Sequence, residues 1–109
     1  MILRHRRLIK SLCDEISAYG VFNILMSDST HLYAYCSTRL HWITRRAPFG
    51  KARLKDEELS VDFYEETTPN DVVSVIATEP LTTNETWTRI QSGSMVIFKS
   101  GLIVREMGR

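Results

Sequence analysis

The chain has 109 residues, 43% of them apolar and 25% charged, and its 14 Lys and Arg against 13 Asp and Glu leave a net charge of +1. That length makes residues 1–109 a single domain that can bury a modest core. Near-neutrality excludes a global field that would draw the chain to nucleic acid or an anionic membrane, and no apolar run approaches the roughly 20 residues a membrane helix needs. At the start, Ile2 and Leu3 precede Arg4, Arg6 and Arg7, the reverse of a secretory signal, so a cytoplasmic location is expected.

Residues 4–19 carry the helix. Leu8, Ile9, Leu12, Cys13 and Ile16 recur at the spacing of one apolar helix face, and Arg4, Arg6, Arg7, Lys10, Asp14 and Glu15 take the other side. Lys10 and Asp14 stand one turn apart and are placed to pair. Gly20 is expected to stop the helix in the left-handed conformation. The group Arg4, His5, Arg6, Arg7 and Lys10 reads as a phosphate-binding footprint or as the solvated face of an amphipathic helix. The lack of interleaved aromatic residues favours the second, and no nucleic-acid partner is expected.

A hairpin follows. Residues 21–26 are largely apolar, residues 27–30 are a turn of short polar side chains, and residues 31–36 return. In the return strand Leu32, Ala34 and Cys36 share a core face. His31, Tyr33 and Tyr35 share the other, which is left to contact another layer or a partner. Residues 40–46 form a third strand, ended by Pro48 and Gly50. Two short charged strands, 52–54 and 59–63, flank the acidic turn of Asp56, Glu57 and Glu58. A polar connection then delivers the chain to residues 72–78, the longest β-branched run, which is expected to be a core strand buried on both faces. Beyond Thr78 lies a polar loop containing Glu79, Pro80, Leu81, Asn84 and Glu85, closed by Trp87. Strands at 94–98 and 102–105, joined through Gly101, complete the chain. One helix followed by eight or nine strands is an α+β pattern, an antiparallel sheet packed on a helix.

The search for chemistry assigns no catalytic residue, no cofactor-binding residue and no metal ligand. Cys13 and Cys36 fit no zinc or redox spacing. They read as reduced, buried thiols, with a disulfide between them the less favoured alternative in a reducing compartment. His31 and His41 lie on neighbouring expected strands but lack a third ligand. Asp56, Glu57, Glu58, Glu65 and Glu66 read as solvated. Glu79 follows a core strand and precedes proline, so it is expected to accept backbone hydrogen bonds and fix its loop, with work in a site as the alternative. No glycine-rich phosphate loop is present and no cofactor is expected.

Several stretches together resemble a known family. Residues 20–28 with Asn23 and Asp28, residues 33–38, residues 40–49 with Trp42, Arg45 and Arg46, and residues 70–81 leading to Asn84, Glu85, Thr86 and Trp87 are similar to the C-terminal part of class II glutamine amidotransferases. The likeness runs from about the helix to residue 98 and is closest to the small stand-alone bacterial members. It implies an N-terminal-nucleophile hydrolase fold, an αββα sandwich of two facing antiparallel sheets. It also implies a reaction, hydrolysis of the side-chain amide of glutamine with ammonia passed on for transfer. In that family a cysteine at the mature N-terminus is the nucleophile, its α-amine can serve as base, and an oxyanion hole lies nearby.

The sequence departs from that pattern. Residue 1 is Met and residue 2 is Ile, and the family's nucleophile, oxyanion and glutamine-binding motifs belong to an N-terminal half that residues 1–109 do not match. No catalytic residue carries over. What carries over is scaffold: Asn23, Asp28, Glu79 to Leu81 and Trp87. The chain is therefore expected to be a C-terminal fragment, inactive alone, with glutamine as the family substrate. Its expected partner is the missing N-terminal half or a second copy joined through an exposed sheet, with no membrane involved. The other reading is a non-catalytic interaction module, or a degenerate remnant, that keeps the scaffold. For the module, His31, Tyr33, Tyr35, Trp42, Arg45 and Arg46 form the surface to test.

Overall fold

In a computed structural model the structure describes residues 5–46, 51–53, 60–62 and 71–108. Helix α1 spans Arg6–Ser17. The strands are β1 (Ile24–Ser27), β2 (Leu32–Cys36), β3 (Leu40–Arg46), β4 (Lys51–Arg53), β5 (Ser60–Asp62), β6 (Val72–Ala77), β7 (Thr88–Ile90), β8 (Ser94–Lys99) and β9 (Leu102–Met107). All pairings are antiparallel. A four-stranded sheet has the order β1-β2-β8-β9, a three-stranded sheet the order β6-β3-β7, and β4 and β5 pair as a ribbon. One helix followed by antiparallel strands is the expected α+β pattern.

The strands stack as layers because two side-chain sets point opposite ways from β2 and β8. Ala34, Cys36, Val96 and Phe98 face the three-stranded sheet and meet Leu40 and Ile90, with Trp42 and Ile76 packed against them. Trp42 stands edge-on to Phe98, ring centres 6.2 Å apart. Tyr33, Tyr35, Met95 and Ile97 face the opposite way, toward Cys13 and Ile9 of α1. The order is helix, sheet, sheet: three layers of the four in the sandwich that the resemblance implies.

Three readings of the sequence are corrected here. Residues 72–78 were expected to be the strand buried on both faces, but β6 is an edge of its sheet among the described residues, half-buried along its length, with Val73 exposed. The fully covered strands are β2 and β8, because α1 covers one face of their sheet and the second sheet the other. A strand the sequence did not announce follows the polar loop: Leu40, His41 and Trp42 draw residues 88–90 into register as β7. The apolar face expected of the helix is split. Cys13 and Ile9 pack on the sheet, whereas Leu8, Leu12 and Ile16 are 58%, 46% and 48% exposed. Lys10, assigned to the solvent side, is buried instead.

The helix ends by tightening, as Ala18 and Tyr19 donate to the carbonyls of Glu15 and Ile16, three residues back. Gly20 lies at φ +159°, near the extended region and outside the left-handed helical one. At the β8–β9 turn the requirement for glycine is double. Gly101 has φ +80°, and a Cβ there would sit 2.5 Å from the carbonyl oxygen of Val72 on the other sheet. The expected turns at 47–50 and 55–58, and residues 64–70 of the polar connection expected at 64–71, lie outside the described residues.

Candidate functional site

Polar chemistry concentrates at three places, each set by a different element. The first is the C-terminal half of α1. Lys10 and Asp14 fall on one side of the helix and pair as expected, with Lys10 Nζ 2.7 and 3.0 Å from the two carboxylate oxygens. From the sheet below, the Tyr35 hydroxyl donates to Asp14 Oδ1 at 2.7 Å and lies 3.2 Å from Ser17 Oγ. Lys10 Nζ stands 6.0 Å from the centre of the Tyr35 ring. Burial is the first cause that pushes the Tyr35 phenol up, so it stays protonated and donating. These groups wall a cleft of about 630 Å³ that continues past Ser37, Thr38 and Ser92. Its charges are mutually neutralised and its other groups are hydroxyls, so it offers hydrogen bonds to a polar ligand but no nucleophile.

The second place is the β1–β2 turn. Asp28 Oδ1 accepts from the backbone N–H of Thr30 at 2.9 Å and of His31 at 2.6 Å, and Oδ2 accepts from the Tyr33 hydroxyl at 3.1 Å. The N–H of His31 is the leading cause that holds the Asp28 carboxyl below its ordinary range. His31 Nδ1 lies 3.6 Å from Asp28 Oδ2, too far for a hydrogen bond, and it and Arg6 Nε are buried without one among the described residues. This is an Asx turn that locks a hairpin.

The third is the loop after β6. Arg45 of β3 grips Glu85 in a two-pronged pair at 2.6 and 2.7 Å. Thr82 Oγ1 donates to Glu85 at 2.8 Å and accepts from the Trp87 indole at 2.9 Å. The Arg45 hydrogen bonds lead the causes that hold Glu85 below the usual carboxylate range. Glu85, which sequence reasoning did not single out, holds the loop through these bonds. The signal that could have found it is the Thr82-x-x-Glu85-x-Trp87 spacing, which makes sense once Arg45 is opposite. His41 caps the start of the loop, with Nδ1 3.1 Å from the Thr78 carbonyl oxygen.

Both thiols are buried and unpaired, in keeping with reduced cysteines. Burial pushes Cys13 and Cys36 up, and Cys36 Sγ is 3.4 Å from the Ile90 carbonyl oxygen. A thiol held protonated in an apolar layer is not a nucleophile. His31 precedes β2 of one sheet while His41 lies in β3 of the other, and no cluster of three metal-ligating side chains occurs among the described residues.

The surface nominated for an interaction module does not exist as a surface. Tyr33 and Tyr35 are covered by α1, His31 is buried, Trp42 packs between the sheets and Arg45 is engaged by Glu85; of the six, Arg46 is exposed. The scaffold residues fare differently. Asn23 Oδ1 accepts from the N–H groups of Ser37, Thr38 and Arg39 at 2.9, 3.1 and 3.4 Å, and its amide donates to Thr38 Oγ1, so one side chain fixes the β2–β3 turn. Asn23, Asp28 and Trp87 each hold a connection in place.

These features match known proteins. A family model described as "Glutamine amidotransferases class-II" matches residues 3–108. The chain is 58% identical over 95 residues to the Escherichia coli (strain K12) protein called "Putative glutamine amidotransferase YafJ", covering 87% of this chain and 37% of that one. It is 38% identical over 99 residues to a Haemophilus influenzae protein that carries the same family name, covering 91% and 34%. A crystal structure of a predicted glutamine amidotransferase from Pseudomonas aeruginosa PA01 superposes with a TM-score of 0.82 at 53% identity, over 96% of this chain and 42% of that one. The chain thus spans little more than a third of the length of the curated relatives it matches.

Proposed function

The chain belongs to the class II glutamine amidotransferases, and on that premise we propose that it is the scaffold portion of a glutamine-hydrolysing domain that performs no hydrolysis by itself. The reaction of such a domain is attack of a thiolate on the side-chain amide carbonyl of glutamine. Ammonia leaves, and water releases glutamate from the resulting thioester. That chemistry needs a cysteine that is accessible and readily ionised. The observation that carries the proposal is that Cys13 and Cys36, the two cysteines of the sequence, are both buried and both pushed up by burial.

In this reading the nucleophile lies outside residues 1–109, in a part of the domain that the longer relatives have and these residues do not match. This chain contributes the two-sheet platform and the pinned connections at Asn23, Asp28 and Glu85. Glutamine is the substrate of the joined domain. The test is ammonia release from glutamine, measured for the purified chain and for the chain mixed with the part of the Escherichia coli relative that it does not match. The expected result is background release alone and turnover in the mixture, unaffected by Cys13→Ala or Cys36→Ala. Turnover by the chain alone that either substitution abolished would sink the proposal.

A further inference from the structure

Two hairpin turns and one strand of the second sheet enclose a small polar pocket. The β1–β2 hairpin brings Ser27, Ser29, Thr30 and His31 to it, the β8–β9 turn brings Ser100 and Gly101, and β6 brings Ser74 from across the sandwich. Leu32 and Phe98 are its apolar floor. Its volume is about 250 Å³, below the roughly 300–1,000 Å³ of pockets that hold drug-sized molecules, so it suits a small group.

Local structure explains how the hydroxyls come together. Pairing of Lys99 with Leu102 leaves Ser100 and Gly101 as a two-residue turn, both at positive φ, 51° and 80°. Ser29, at φ 73°, is the left-handed residue of the other turn. Each turn is held from within. Ser27 Oγ accepts from the Ser29 N–H at 3.1 Å, and the Ser74 hydroxyl donates to the Gly101 carbonyl at 2.7 Å. The Ser27 proton is left to donate elsewhere, and the hydroxyls of Ser29, Thr30 and Ser100 bond nothing among the described residues.

Hydroxyls alone do not select a ligand, and His31 supplies the selection. Its side chain is 6% exposed and lines the pocket, and its Nδ1 is buried without a hydrogen bond, 3.6 Å from Asp28 Oδ2. A buried polar atom left unpaired costs free energy. Both nitrogens of an imidazolium are donors. Nδ1 has the Asp28 carboxylate beside it, which leaves Nε2 for an occupant of the pocket that the ring lines. No carboxylate lines the pocket among the described residues. Donors converging from two turns, one of them able to carry charge, match a ligand that only accepts.

We propose that this pocket binds a small tetrahedral oxyanion, the sulfate or phosphate group of a free ion or of an ester. The hydroxyls of Ser27, Ser29, Thr30 and Ser100 hold it together with protonated His31, which Asp28 backs. Binding is therefore coupled to proton uptake. The charged and titratable groups around His31 are Asp28 and Tyr33 on its own hairpin and Arg6 of α1, whose charge reaches Tyr33. From β8 and β6 come Phe98 and Ser74, neither charged. Backbone hydrogen bonds hold Asp28 below its ordinary range and burial pushes the Tyr33 phenol up, so both keep their charge state near neutral pH and His31 is the group that changes.

The experiment titrates the chain with sodium sulfate, a dianion throughout, at constant ionic strength. Backbone amide and imidazole NMR shifts are followed between about pH 5.5 and 8, the range in which a histidine side chain changes charge. Saturable shifts are expected at Ser29, Thr30, Ser100 and Gly101, with affinity falling at least about tenfold toward the alkaline end. Ser29→Gly and Ser100→Gly remove a hydroxyl where glycine adopts the backbone readily, so both are expected to match the parent by circular dichroism and to bind sulfate about threefold or more weakly. His31→Gln is expected to flatten the pH dependence; should it fail to fold, the glycine variants and the parent's pH profile decide. Gln91→Ala, exposed beyond the other end of β8, is expected to change nothing. Shifts that do not saturate, an affinity independent of pH, or glycine variants that bind like the parent overturn the proposal. Glycerol phosphate, compared at the acid end of the range, identifies the source. Binding as tight as sulfate assigns the pocket to the end of a phosphoester, binding of sulfate alone assigns it to the free ion, and either supports the site.

Discussion

The two faces of the four-stranded sheet are buried by different means. Between the sheets the layer is mainly apolar: Ala34, Cys36, Val96 and Phe98 meet Leu40, Ile90 and Trp42, with one hydrogen bond from Ser74 to the Gly101 carbonyl at its edge. Under the helix the layer is mixed. Tyr33 and Tyr35 bury their rings while their hydroxyls reach Asp28 and Asp14 at the turn and the helix. The first layer is held by area removed from water and by fit, which tolerate little loss of volume. The second is held also by hydrogen bonds from buried phenols, Tyr33 to the β1–β2 turn and Tyr35 to the helix. The difference teaches that a strand face carrying tyrosines is not thereby a binding surface. Given a helix with a carboxylate in reach, it becomes interior.

Substitutions separate the two layers, beginning with the largest effect. Phe98→Ala, which empties space between the sheets, is expected to cost about 3–5 kcal/mol in urea unfolding; a loss below about 1 kcal/mol would mean that this layer is not the main core. Arg45→Ala leaves Glu85 in its partly buried site without its cation, and a loss of about 1.5–3 kcal/mol is expected. A double-mutant cycle with Glu85→Ala checks that the loss belongs to the pair. The same pair has a pH signature. Glu85 is depressed in the folded state, so its contribution is present above the ordinary carboxylate pKa of about 4.3 and fades as pH falls through the lower folded value. Asp28 adds in the same direction. Glu85→Gln should flatten the acid side of the stability profile, and a variant that lost stability on acidification as steeply as the parent would refute the assignment.

A smaller effect tests the layer under the helix. Tyr35→Phe keeps the ring and removes the bonds to Asp14 and Ser17, for an expected loss of about 1 kcal/mol. No measurable change would make that layer apolar in character like its neighbour. The smallest effect belongs to the outer side of the helix. Leu12→Ala on the chain alone is expected to change stability by no more than about 0.5 kcal/mol, because its side chain is already half in water.

Much of this arrangement was legible in the residues. Alternation in residues 31–36 separated the two faces of β2, the turn residues located both hairpins, and the Lys10–Asp14 pair followed from helical spacing. Residues 72–78 were misjudged because a β-branched run reports strand propensity and cannot report whether neighbours lie on both sides. Glu85 was not singled out because its partner, Arg45, is 40 residues distant in sequence. β7 was missed because a short polar segment becomes a strand when β3 offers it a ladder.

By itself, then, the sequence determined the element types, the reduced cysteines and the family, because these depend on local periodicity, turn chemistry and motifs within a few residues of one another. Only the tertiary structure decided which apolar residues are interior and which carboxylate holds the loop after β6. It also decided that the helix packs Ile9 and Cys13 on the sheet and holds Leu8, Leu12 and Ile16 to one side. Burial and ion pairing are properties of what lies opposite a side chain, and periodicity along the chain does not encode what lies opposite.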